Sequence, residues 1–212
     1  MESTSTMDVR ELQAEIDRLK TENQKLKASN RRWMRIAGTA ENTGLPNKIF
    51  FSTALLPQLM SKANTDGDFL GCIMIEPDGL VEINEKYGRR GADFIVKEVA
   101  EFLKGNIESD ERLVHIDGAT FVILLPQGDL QTVRRKGLTL RAKITNRTFD
   151  FEKNTISLTL SMGGVVRGPG SIGDQVNAKE VAETFLRRMS IMLDRAKNEG
   201  GNRVELDEDT DI

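Results

Sequence analysis

The sequence is poor in the residues that would crosslink a protein, span a membrane or give it a strong charge. Its 212 residues include one cysteine, Cys72, so no intrachain disulfide can form. The 30 basic and 33 acidic residues give a net charge of −3, which argues against a nucleic-acid partner. No apolar run approaches the roughly 18 residues that cross a bilayer, and residues 1–8 lack the basic start and apolar core of a secretory signal. We therefore expect a cytoplasmic protein without a membrane span, with a disordered N-terminus at 1–8.

A heptad repeat is the first positive pattern in the chain, and it runs over residues 9–38. Glu15 and Glu22 at position g lie five residues before Lys20 and Lys27 at position e, as interchain ion pairs in a parallel dimer require. β-branched residues and asparagine at a, with leucine at d, favour two parallel strands. A single amphipathic helix packed on its own domain is the alternative. We predict a parallel homodimeric coiled-coil stalk whose seam consists of Val9, Leu12, Ile16, Leu19, Asn23, Leu26, Asn30 and Trp33.

Helix and strand signals alternate through the rest of the chain. Turn-forming residues at 43–48 predict a change of direction, and a helix over 50–63 then leads to a buried strand at 70–75. A further helix is expected over 94–104. Apolar runs flank Asp117-Gly118, where a glycine in second place suits the positive φ of a tight hairpin turn. The patterns predict an α+β domain.

Two carboxylates, Glu76 and Asp78, directly follow the buried strand. Oxygen ligands on rigid backbone facing a cleft are what hard cations such as Mg²⁺ need. Acidic residues at strand ends are more often simply solvated, so both interpretations remain open. His115 lies alone in a predicted strand, a pattern more typical of a structural histidine than of a catalytic one.

Four separate motifs resemble bacterial GGDEF domains, the diguanylate cyclases. Residues 43–48, Thr-Gly-Leu-Pro-Asn-Lys, are similar to the Leu-Thr-Gly-Leu-Pro-Asn-Arg that opens those domains. Residues 84–93 resemble the family's Asn-Asp-x-x-Gly-His-x-x-Gly-Asp, and residues 196–204 its terminal Ala-Lys-x-x-Gly-Arg-Asn-x-Val. The family's Gly-Gly-Asp/Glu-Glu-Phe signature, which lies on a hairpin turn, is matched here by Asp117, Gly118, Ala119, Thr120 and Phe121.

The resemblance implies a fold and a division of the chain. We expect a degenerate GGDEF domain at 43–204, with a nucleotidyl cyclase-like, mainly antiparallel central sheet flanked by helices. The coiled-coil stalk at 9–38 precedes it, and an acidic tail at 205–212, expected to be disordered, follows it.

The resemblance also implies that part of a nucleotide site is retained. Asn84 and Asp93 match the pair that recognises guanine, Lys197 matches a phosphate-contacting lysine, and Glu76 stands in the place of a magnesium-binding aspartate. GTP with Mg²⁺ is therefore a candidate ligand. A structural alternative is that Asn84 caps a turn and Asp93 starts a helix.

Other positions have lost the groups that the family uses. Ala119 and Thr120 replace a metal-binding carboxylate and a second acid, and Gly201 replaces a phosphate-binding arginine. Phosphoryl transfer with two metal ions needs such concentrated negative charge. Glu108 and Glu111 replace the arginine and aspartate of the inhibitory product-binding site, where two acids would repel a dinucleotide.

Three hypotheses about function follow from the retained and the lost groups. The leading one is a catalytically inactive dimer that acts as a signalling or protein-interaction module in cyclic-di-GMP-related regulation, with another signalling protein as partner. The second is a GTP sensor that uses Asn84, Asp93 and Lys197. The third is an unusual active cyclase in which Glu76, Asp78 and Asp117 surround magnesium.

Overall fold

The computed structural model describes residues 9–169 and 178–209, and it forms two compact units that divide between Gly38 and Thr39. The first unit is helix α1, Val9–Ala37. Leu12, Ile16, Leu19 and Leu26 on the predicted seam are 44–63% exposed in the single chain. The side chains of Val9, Asn30 and Trp33 lie outside the described residues. The pairing of two such helices remains a prediction.

A five-stranded sheet forms the centre of the second unit. Its strands are β1, Leu70–Pro77; β2, Arg112–Asp117; β3, Thr120–Pro126; β6, Leu160–Arg167; and β7, Val204–Leu206. The spatial order is β2-β3-β1-β6-β7, and only the β6–β7 pair is parallel. A separate hairpin joins β4, Thr148–Phe151, to β5, Asn154–Ser157. The prediction of an α+β fold with a mainly antiparallel sheet is confirmed.

Helices cover both faces of this sheet. Short helix α2, Lys48–Phe50, continues through a π-helical turn, Phe51–Leu55, into α3, Leu56–Asp66. The longer helices are α4, Leu80–Lys104; α5, Leu130–Thr145; and α6, Ala178–Asn198. Helix α4 starts well before the predicted residue 94 and is interrupted at Gly88, whose φ of 68° lies outside the helical region.

Alternation along β1 divides the core into two layers. Successive side chains of a strand point to opposite faces, so Ile73 and Ile75 pack with α4 and α5, whereas Cys72 and Met74 pack with α3 and α6. Burial raises the pKa of the Cys72 thiol far above its usual range. We therefore expect Cys72 to resist thiol reagents in native protein and to react after denaturation, which a colorimetric thiol assay would detect.

The C-terminal segment differs from the prediction of a disordered tail from residue 205. Glu205 and Leu206 belong to β7, which lies parallel to β6. Arg188 of α6 donates from Nε to Asp207 Oδ2 at 2.7 Å and from Nη2 to the Asp209 carbonyl at 2.6 Å. Residues 210–212, like 1–8, lie outside the described residues. Acidic composition suggested disorder, but the Arg188 guanidinium on α6, whose side chain is 11% exposed, provides the counter-charge.

The hydrogen bond between Arg188 and Asp207 should make the stability of the domain depend on pH. The hydrogen bond from Arg188 holds the pKa of Asp207 below its usual range. A lowered folded-state pKa means that the contribution is present above the unfolded pKa of about 3.9 and is lost as pH falls through the folded value. Asp207→Asn should lower the free energy of unfolding by about 1–2 kcal/mol at pH 7, as charge-assisted hydrogen bonds do. In urea titrations, the difference from the native chain should shrink below about pH 4. A difference that is constant with pH would contradict this.

Among the described residues, no helix is long and apolar enough to cross a membrane.

Candidate functional site

The site is built where β1 ends beside the β2–β3 turn. Strand β1 pairs with both β3 and β6, so the end of β1 lies beside the start of each of these strands. Glu76 is the penultimate residue of β1. The other polar groups come from several elements. Thr120 begins β3, Ser161 lies in β6, Lys197 lies near the end of α6, and loops supply Asp78, Thr159 and Asn202. The fold therefore gathers residues that are far apart in the sequence.

Glu76 contacts two residues that the sequence singled out separately. The Thr120 hydroxyl donates to Glu76 Oε1 at 2.6 Å, and the Lys197 ammonium forms an ion pair with Oε2. The Thr120 residue is buried, and the Glu76 side chain is 23% exposed. The carboxylate at the strand end thus has a cation and a hydroxyl donor as neighbours.

Asp78 has a different set of partners, all of them hydrogen-bond donors. The hydroxyls of Thr159 and Ser161 each donate to it at 2.6 Å, and the Asn202 amide N–H donates at 2.9 Å. The Asp78 N–H in turn donates to the Thr159 carbonyl at 2.9 Å. This carboxylate therefore connects the end of β1 to the start of β6 and to the loop after α6.

The signature turn itself offers one carboxylate. Gly118 has a φ of 44°, as a tight turn requires, and Asp117 is exposed. Ala119 packs against the core beside buried Phe121. Across the described residues, no three His, Cys, Asp or Glu side chains come close enough together to hold a metal ion. The hairpin predicted around Asp117-Gly118 is present, with strands β2 and β3 on either side.

His115 is buried in β2 and joins the turn to the start of the domain. Its Nδ1 lies 3.0 Å from Thr43 Oγ1 and its Nε2 lies 3.0 Å from the Gly118 carbonyl. A carbonyl only accepts, so Nε2 carries the proton of this bond. The ring stacks on Phe121 with centroids 4.7 Å apart. These contacts support the structural role that the sequence suggested for this histidine.

Asn84 and Asp93 lie on α4, on opposite sides of the break at Gly88. Both are exposed, and Asp93 Oδ2 lies 3.8 Å from Arg89 Nε. Neither is a helix cap: Gly79 precedes α4, and Asp93 follows the break by five residues. The structural alternative of a turn cap and a helix start is therefore wrong for this pair. In the described part of the chain, no side-chain hydrogen bond engages the Asn84 amide.

The two acids in the place of an inhibitory site have separate roles. Glu111 is buried, accepts the Glu108 N–H at 2.8 Å and forms an ion pair with Lys136 of α5. Glu108 has an exposed side chain. Lys136 was not predicted from the sequence, because nothing in the local pattern distinguishes it from the other basic residues of α5.

The fold and these strand-end contacts define the class: an α+β domain with a mainly antiparallel sheet and a polar site beside the β2–β3 hairpin. The family model described as "Diguanylate cyclase, GGDEF domain" matches residues 41–203. The chain belongs to this family, so the resemblance is confirmed.

Named relatives and solved structures agree with this assignment. The chain is 29% identical to Diguanylate cyclase DgcP of Pseudomonas aeruginosa over 164 residues, which cover 77% of this chain and 23% of DgcP. It is 26% identical to Response regulator PleD of Caulobacter vibrioides over 173 residues, 81% of this chain and 36% of PleD. The chain thus spans well under half the length of these two relatives.

Two solved structures have the same fold, and one of them also contains a coiled coil. The coiled coil and GGDEF domain of DgcB from Caulobacter crescentus, in complex with c-di-GMP, matches with a TM-score of 0.71 at 20% identity, covering 92% of this chain and 99% of that one. Diguanylate cyclase SiaD of Pseudomonas aeruginosa, in complex with its activator SiaC, matches with a TM-score of 0.69 at 20% identity, covering 94% and 73%. At this level of identity the likeness concerns the fold.

Proposed function

We propose that this chain is a degenerate GGDEF protein without cyclase activity, which acts as a dimeric signalling or protein-interaction module in cyclic-di-GMP-related regulation. The observation that carries the proposal is the environment of Glu76. Its carboxylate, in the place of a metal ligand, is paired with the Lys197 ammonium and accepts the Thr120 hydroxyl. The Lys197 ammonium therefore already neutralises the Glu76 carboxylate, which would have to attract a metal cation.

The remaining acids support the same conclusion. Two-metal phosphoryl transfer needs several carboxylates directed at the ions. Asp78 accepts three hydrogen bonds from protein donors, and Ala119 offers no oxygen on its side chain. The donor set around Glu76 therefore does not suit Mg²⁺. This also weighs against the cyclase hypothesis that relies on Glu76, Asp78 and Asp117.

Product analysis tests this proposal. Purified protein is incubated with GTP and either Mg²⁺ or Mn²⁺, beside the GGDEF domain of DgcP as positive control, and cyclic di-GMP is measured by chromatography. We expect less than one product molecule per protein molecule. Repeated turnover by a preparation free of other cyclases would overturn the proposal.

The stalk supports the dimeric part of the proposal. Its half-exposed leucines and isoleucine form a stripe that two parallel helices would bury against each other. Sedimentation equilibrium should report a dimer for the native chain and a monomer for Leu12→Glu/Leu19→Glu. The control Ala14→Glu/Thr21→Glu introduces the same charges on the outer face and should remain dimeric. A monomeric native chain would contradict the prediction of a coiled coil.

A guanine-nucleotide sensor is the second candidate. The observation in its favour is that Asn84 and Asp93 are exposed, and that the Asn84 amide has no side-chain hydrogen bond within the described residues. An amide and a carboxylate together match the donor and acceptor edge of guanine. Calorimetry with GTP, GDP and ATP, repeated with Asn84→Ala, tests it. Lack of heat at millimolar nucleotide would exclude the sensor.

A further inference from the structure

Helix α5 has an uneven charge for a chain of this composition. It contains five basic residues and no acidic residue, whereas the whole chain contains more acids than bases. Two of the five are used inside the fold: Lys136 pairs with Glu111, and Arg141 Nη1 donates to the Asn202 carbonyl at 3.2 Å. Internal contacts thus account for these two cations and leave the outward ones to be explained.

The outward cations are Arg134, Arg135 and Lys143. Throughout the described residues, no carboxylate forms an ion pair within 4.0 Å of their charged nitrogens. Arg135 has a longer-range electrostatic interaction with Asp129, the N-cap of α5, and Lys143 donates to the neutral Asn106 side chain at 2.7 Å. Leu138 lies between them in the sequence and is 43% exposed. Gln131, Thr139 and Ala142 complete a continuous surface on this side of the helix. We call these seven residues the α5 face.

We infer that the α5 face is a docking surface for an amphipathic helix of a protein partner with acidic residues on both sides of a leucine stripe. Gln131, Leu138 and Ala142 are spaced by seven and then four residues, so they form one longitudinal row. From 131 to 142 this row extends about 16 Å, enough for about three turns of a partner helix. The basic side chains beside the row would meet acids of the partner helix, and Leu138 would be buried between them.

Other anionic partners fit the α5 face less well. A polyanion such as RNA is drawn to a broadly basic protein, but this chain has a net charge of −3. The sequence of α5 contains no aromatic residue on which bases could stack. One exposed leucine is too little apolar surface for insertion into a membrane. A partner helix needs only a local charge pattern and one apolar anchor.

This inference rests on the interaction-module part of the proposed function and names a surface and a partner class for it. The probe is a synthetic helical peptide of about 18 residues with a leucine stripe and flanking glutamates. Its binding is measured by fluorescence anisotropy at about 50 mM and about 300 mM salt. A scrambled peptide of the same composition, single-stranded RNA and phosphatidylserine vesicles are measured in parallel.

Variants locate the binding. Arg134→Glu/Arg135→Glu should weaken peptide binding about tenfold or more, and the matched control Lys97→Glu/Lys153→Glu should change it less than twofold. Leu138→Ser should weaken binding several-fold at both salt concentrations. The inference is overturned if the helical peptide does not bind, if the scrambled peptide, RNA or vesicles bind as tightly, or if the control pair has the same effect. None of these results bears on GTP turnover, so this failure is distinguishable from failure of the proposed function.

Discussion

Gly163→Ala should destabilise the domain by about 3 kcal/mol or more, because it introduces a methyl group where two backbones meet. Gly163 lies in the middle of β6, which packs against α6. A Cβ built at this position would lie 2.3 Å from both the Leu193 nitrogen and the Met189 carbonyl oxygen. These are backbone atoms of a helix, so rotation of a side chain cannot relieve the overlap. Helix α6 would have to move away from the sheet.

Urea denaturation followed by circular dichroism measures this effect, and Gly105→Ala is the matched control. Gly105 has a φ of −73°, and the nearest atom to a Cβ there is a carbonyl oxygen at 3.6 Å. The control should raise the free energy of unfolding slightly, by less than about 1 kcal/mol, because alanine reduces the conformational freedom of the unfolded chain. If the free energies of unfolding of Gly163→Ala and of the control differ by less than about 1 kcal/mol, the close approach of α6 to β6 is contradicted.

The segment Ser161-Met162-Gly163 shows why some contacts cannot be predicted from a local pattern. In the fold, Ser161 donates to Asp78, and Gly163 admits the backbone of α6. Both roles depend on elements distant in the sequence. A local pattern can therefore show that such residues matter, but not what they contact.

Local patterns predicted the elements whose determinants are local. The hairpin was predictable because apolar runs flank a glycine that takes a φ of 44°. Helix α4 was predicted too short because Gly88 disfavours a continuous helix, whereas Ile83 packs into the core and holds the part before the break in place.

The residues of the site could be predicted from the sequence, but their contacts with one another could not. Glu76, Thr120 and Lys197 were each singled out from the resemblance, as ligand, lost acid and phosphate contact. Their mutual contacts join residues up to 121 positions apart, and only the folded sheet brings them together. The local sequence around a lysine is the same whether the lysine pairs with a strand-end glutamate or binds a phosphate. The sequence alone therefore cannot distinguish these two roles.

The second large effect concerns the ion pair of Glu111 and Lys136. Their side chains are 9% and 12% exposed, so each charge depends on the other for compensation. Lys136→Met should lower the free energy of unfolding by about 3 kcal/mol, because it leaves a buried carboxylate whose one remaining donor among the described residues is the Glu108 N–H. The exposed pair of Arg90 and Glu152 serves as reference, and Arg90→Met should cost less than about 1 kcal/mol.

The double variant Glu111→Gln/Lys136→Met separates loss of the pair from loss of packing. Removing both charges should recover most of the stability lost in Lys136→Met, since a buried ion pair contributes little net free energy compared with a neutral replacement. A coupling free energy above about 1.5 kcal/mol from this double-mutant cycle would support a buried, interdependent pair. Additive losses would instead mean that Lys136 acts through its aliphatic stem. A strong coupling would explain the acid at 111 by its basic partner on α5, without any ligand in the place of the inhibitory site.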